Sequence, residues 1–80
     1  MYSYTLATEI DNQIFMGACH KIENAFPSAK KEELLIDVDG SMIQDYYIGR
    51  RKIRVQNDCD VYAVYIDSDL DLKELFASLV

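Results

Sequence analysis

The stretch Leu34-Leu35-Ile36-Asp37-Val38-Asp39-Gly40-Ser41-Met42-Ile43-Gln44-Asp45-Tyr46-Tyr47-Ile48-Gly49-Arg50-Arg51-Lys52-Ile53-Arg54-Val55-Gln56 reads as strands folded back on one another. Leu34, Ile36 and Val38 alternate with Leu35, Asp37 and Asp39, the period of a pleated strand. Asp39-Gly40 predicts a tight hairpin turn, because glycine accepts the positive φ of a type I′ turn. Met42 to Ile48 is the returning strand, and Gly49 marks a second turn. Ile53 and Val55 then alternate with Lys52, Arg54 and Gln56, which gathers the basic side chains on one face.

Working outward, Asn57 to Asp60 predicts a further turn, and Val61 to Ile66 another strand. Ser68-x-x-Asp71 has the form of a helix cap. Leu72, Leu75, Phe76 and Leu79 follow it at the spacing of one helix face. Towards the N-terminus, Tyr2, Tyr4 and Leu6 alternate as a first strand. Thr8-Glu9-Ile10-Asp11 resembles a cap, and Ile10, Ile14, Ala18, Ile22 and Ala25 form a helical stripe that Pro27 ends. A competing reading turns the chain at Asp11-Asn12-Gln13 and makes 14–19 a strand. The expected architecture is one α+β domain over residues 1–80, a two-layer sandwich of order β-α-β-β-β-β-α. Its sheet is a mostly antiparallel meander, with both helices on one face.

Charge is the clearest functional signal. Arg50, Arg51, Lys52 and Arg54 hold half of the basic residues, and the acids Asp58, Asp60, Asp67, Asp69 and Asp71 follow. The chain carries a formal charge of −6, nearly all of it from residue 58 onward. One-signed patches steer charged partners, and a pI near 4.5 opposes general nucleic-acid binding because phosphate repels the whole molecule. Eighty residues bury only roughly 60% of the unfolded surface, so the core is small. No apolar run is long enough to span a bilayer and no signal peptide opens the chain. A cytoplasmic protein with Cys19 and Cys59 as free thiols is expected.

Leu34 to Met42 resembles the first motif of the haloacid-dehalogenase phosphatases, an apolar strand followed by D-x-D-G-[TS]. The resemblance implies Asp37 as phosphorylated nucleophile, Asp39 as general acid, and a parallel α/β sheet around them. It covers residues 34–42 alone, and a hairpin produces the same letters. Asp67-Ser68-Asp69-Leu70-Asp71 lacks the glycine and distal glutamate of a calcium loop. Cys19 and His20 have no second pair with which to complete a zinc tetrahedron. No catalytic residue, metal or cofactor is therefore expected.

The leading expectation is an acidic, non-catalytic binding domain that masks a cationic surface of a partner protein. Inhibitors, antitoxins and toxin-immunity proteins work in this way, the partner being a nuclease or another nucleic-acid-handling protein. Asp58, Asp60, Asp67, Asp69 and Asp71 are the expected contacts, with Tyr46 and Tyr47 as aromatic anchors. The alternative is a regulatory or ligand-binding module that forms a homodimer through an open sheet face bearing Tyr46, Tyr47, Tyr62 and Tyr65. A third reading puts RNA on the Arg50–Arg54 strip, with the tyrosines as stacking rings.

Overall fold

The computed structural model describes residues 1–77. In chain order it has β1 (Tyr2–Ala7), α1 (Asn12–Ala25), β2 (Lys30–Lys31), β3 (Leu35–Ile36), β4 (Met42–Ile48), β5 (Arg51–Asp58) and β6 (Ala63–Ser68). The sheet runs β1-β6-β5-β4-β2, with β3 pairing β4 beside β2, and every pairing is antiparallel. The expected α+β meander forms. The parallel sheet implied by the phosphatase-like motif does not.

Alternation sorts the side chains. Ile53, Val55, Val64 and Ile66 face α1 and are fully buried. They meet Phe15, Ala18, Cys19 and Ile22, the inner stripe of the helix. The segment 14–19 is thus helical, and its strand reading falls. The helix begins later than the Thr8 signature suggested. Asp11 is the cap, its carboxylate accepting the Ile14 N–H at 3.0 Å, because β1 carries the chain to Ala7 before it can turn. At the far end the Phe26 N–H donates to the Ile22 carbonyl, and Pro27 stops the helix as predicted.

The turns are also more specific than the sequence suggested. At the first hairpin, Asp37 N–H donates to the Ser41 carbonyl and Gly40 N–H to the Asp37 carbonyl, with Gly40 at φ 88°. This is a longer loop than the two-residue type I′ turn, with glycine in the left-handed position that ends it. The β5–β6 turn, expected over 57–60, lies further on. Tyr62 N–H donates to the Asp58 carbonyl at 2.7 Å, and Val61 and Tyr62 belong to the turn rather than to β6.

Two larger corrections follow. The strand expected at 34–38 is only Leu35–Ile36, and Lys30–Lys31 forms an additional strand on the same edge. The register to β4 shifts by one residue between the two, leaving a bulge near Glu33 and Leu34. Buried Gln44 fills it, its amide donating to the Glu32 carbonyl at 2.6 Å. The second helix is not formed in the described residues: α1 is the one helix there, and 73–77 are turns. Ser68, the last residue of β6, does accept the Leu70 N–H through its hydroxyl at 2.9 Å, but a ladder of helical backbone bonds does not follow it among the described residues. A single Phe76 N–H to Leu72 carbonyl bond of 3.1 Å closes one turn. Leu72 and Phe76 nevertheless enter the core with Leu75 against them, while Leu79 lies outside the described residues.

Candidate functional site

Neighbouring hairpins of a meander place alternate turns at the same end of the sheet. Here the β3–β4 turn and the β5–β6 turn meet and lock. The Ser41 hydroxyl oxygen accepts the Cys59 N–H at 2.9 Å, and the Cys59 thiol donates to the Asp39 carbonyl at 3.2 Å. Four aspartates come together as a result. Asp37, Asp39, Asp58 and Asp60 line one depression of about 120 Å³ with Ser41 between them.

Three of these carboxylates are placed by nearby backbone N–H groups. Asp37 accepts the Val38 N–H, Asp39 the Ser41 N–H, and Asp58 those of Asp60 and Val61. The backbone N–H and hydroxyl of Ser41 hold the Asp39 carboxyl below its ordinary range. The second oxygen of Asp58 accepts from the Tyr65 hydroxyl at 3.1 Å. Burial, and then the Asp58 charge, pushes the Tyr65 phenol up and keeps it a donor. Among the described residues none of the four aspartates has a cationic partner. Beside them stand Val61 and Tyr62, both more than half exposed, and Tyr62 sits at φ 59°. For a bulky side chain that left-handed conformation is strained.

The rest of the expected acidic surface lies elsewhere. The six residues of β6 separate Asp58 and Asp60 from Asp69 and Asp71 by roughly 17–20 Å. Asp69 and Lys52 exchange bonds, the Lys52 N–H donating to the carboxylate and the Asp69 N–H to the Lys52 carbonyl. Asp71 accepts from the Lys73 N–H and the Tyr4 hydroxyl, which lower its pKa. Asp67 occupies the middle of the open face, bonded by Ser3 and Gln56.

The basic strip is partly paired there, with Arg50 and Arg51 exposed and in no ion pair among the described residues. Arg54 makes two bonds to Asp45, at 2.8 and 3.0 Å, and Lys52 adds a 3.7 Å ion pair. Burial pushes the Asp45 carboxyl up, but the Arg54 bonds and the two cations outweigh it and hold it low. Tyr47 lies on this face with the Lys52 ammonium 6.0 Å from its ring.

Tyr46 does not serve as an exposed anchor. Paired with Ile53, it points to the helix side and is only 1% exposed. Its hydroxyl donates to Glu23 at 2.5 Å, and Glu23 also pairs with Lys31 at 3.1 Å. Burial, then the Glu23 bond, pushes the phenol far up, while the same bond, with Lys31, lowers the Glu23 carboxyl. A carboxyl lowered by folding contributes stability above its unfolded pKa, and that stability is lost as pH falls through the folded value. Tyr46→Phe should therefore cost about 1–2 kcal/mol at neutral pH, discounted for the partial exposure of Glu23. In urea unfolding the gap to wild type should narrow below about pH 4.

Val61, Tyr62, Asp37 and Asp39 are the site residues that the charge pattern missed. The meander already places the turns of 37–41 and 58–62 side by side, so topology could have found them. Among the described residues no acids, cysteines or histidine cluster so as to hold a metal ion, and no helix is long and apolar enough to cross a membrane. Comparison with known protein families, curated proteins and solved structures finds no match to this chain.

Proposed function

We propose that this chain is a non-catalytic binding protein whose acidic end masks a cationic surface on a partner protein. Its mode of action is that of an inhibitor, antitoxin or toxin-immunity protein. A nuclease fits as the partner, since a cleft that binds phosphate must itself be cationic. The observation that carries the reading is the gathering of Asp37, Asp39, Asp58 and Asp60 beside exposed Tyr62. A rim of like charge around an aromatic anchor combines steering with a desolvated contact. Glycine would occupy the Tyr62 backbone at lower cost, and the phenol ring itself repays that strain on binding. Cys19 and Cys59 form no disulfide, which suits a reducing cytoplasm.

The other two readings have less support. Asp45 engages Arg54 and Lys52, and the net charge of −6 repels phosphate from the Arg50 and Arg51 that remain unpaired among the described residues. Over β5 and β6 the open face is a hydrogen-bonded polar surface, and Tyr46 is on its far side.

Tyr62→Gly separates binding from folding. Removing the strain offsets the added freedom of the unfolded chain, so stability should stay level or rise by up to about 1 kcal/mol. Affinity for a basic partner captured on the immobilised chain should fall about tenfold or more, as for a hot-spot aromatic. Unchanged affinity in the folded variant would remove Tyr62 from the interface.

A further inference from the structure

Residues 33–40 are exposed throughout, and the apolar side chains of Leu34, Leu35, Ile36 and Val38 are among them. Leu35 and Ile36 line a depression that runs into the acidic one, the two sharing Asp37, Ser41 and Ile43. Asp37 N–H bonds inward to the Ser41 carbonyl, so alternation turns the Ile36 N–H and carbonyl outward. Protective edges carry charges or proline, and Leu34-Leu35-Ile36 carries neither. Acids stand instead on both sides of it, Glu32 and Glu33 before and Asp37 and Asp39 after. None of the four has an ion-pair partner among the described residues.

We propose that the cationic partner binds by strand addition, an extended basic segment of it pairing with the β3 edge. The pairing rests on the masking role, and it supplies the backbone and apolar contacts that charge alone lacks. Charge complementarity selects the occupant. Acids at both ends of an apolar centre fit a segment with apolar residues in its middle and lysine or arginine at each end. A second copy of this chain would bring the same acids against them, and like charges oppose that. The Ile36 N–H and carbonyl hold the backbone of the segment, while its central side chain covers Leu35 and Ile43. Its basic ends then lie beside Glu32 and Glu33 on one side and Asp37 and Asp39 on the other, the latter two in the acidic depression.

Two peptides of equal charge test the pairing on the full chain. Both carry lysine pairs at each end, around a centre of either alternating valine and threonine or serine alone. Wild type should bind the valine peptide about tenfold or more tighter, because only valine buries apolar area against Leu35 and Ile36. The Ile36 amide should exchange its hydrogen more slowly in that complex. Ile36→Pro removes an outward N–H from a side chain that is 66% exposed, so it should melt like wild type and bind both peptides equally. Equal affinities in wild type, both lost when Asp37, Asp39, Asp58 and Asp60 become asparagine, would overturn the strand addition and leave the masking role standing. Unslowed Ile36 exchange, or an Ile36→Pro chain that still prefers valine, would overturn it too. If neither peptide binds, the masking role fails and takes the pairing with it.

Discussion

Phe76→Ala should leave the protein largely unfolded. Phe76 is fully buried, and with Leu72 it packs the segment after β6 into the same cluster as Phe15, Ile22 and Ile66. Truncating a buried phenylalanine costs about 3–5 kcal/mol, a transfer loss plus an unfilled cavity. A domain of this size has only ~5–15 kcal/mol in hand, and the small core puts it near the lower figure. Residues 70–77 are held by Leu72 and Phe76 in the core and by Leu70 and Leu75 against it. The Leu72 N–H donates to the Tyr4 hydroxyl and Lys21 to the Leu75 carbonyl, with no second helix among the described residues to take up the loss. Far-UV circular dichroism at room temperature checks this directly. A variant that melts like wild type would mean the terminal segment is not part of the core.

Replacing Asp37, Asp39, Asp58 and Asp60 together by asparagine should preserve the fold and lower affinity for a cationic partner about a hundredfold or more. Asparagine keeps the oxygen that accepts the Val38, Ser41, Asp60 and Val61 N–H groups, so both turns survive. At Asp58 the new amide can donate to the Tyr65 hydroxyl, reversing a bond instead of removing it. The loss should fall mainly on the association rate and shrink as salt rises, since charge acts before contact. Asp69→Asn with Asp71→Asn, at the opposite end, should change little. Surface plasmon resonance at two salt concentrations distinguishes the sets.

Much of this was legible where local chemistry decides structure. Gly40 and Gly49 both take positive φ, and the turns they mark set the β3–β4 and β4–β5 hairpins. Alternation places Ile53 and Val55 inside and Arg54 outside. The failures came where tertiary partners override local pattern. Lys30–Lys31 has no strand signature, and it pairs only because β4 offers a free edge and Gln44 satisfies the bulge. Ser68-x-x-Asp71 has the letters of a cap and the Ser68 hydroxyl accepts the Leu70 N–H, but among the described residues only one turn, from Leu72 to Phe76, closes after it. Tyr46 and Tyr47 look equivalent as letters. The Gly49 turn pairs Ile48 with Arg51, hence Tyr46 with Ile53, and that parity sends Tyr46 into the core. The acidic tract reads as one surface because its residues are close in sequence. A strand divides it, and a different hairpin supplies Asp37 and Asp39 to one of its halves.

The acidic end is the centre of the account, and a nuclear magnetic resonance titration with a lysine- and arginine-rich peptide tests it most directly. Amide shifts should move together and saturate at residues 37–41 and 58–62, weaken with added salt, and vanish in the four-asparagine variant. Saturable shifts centred instead on Asp69 to Lys73, or no saturable shift at either end, would contradict it.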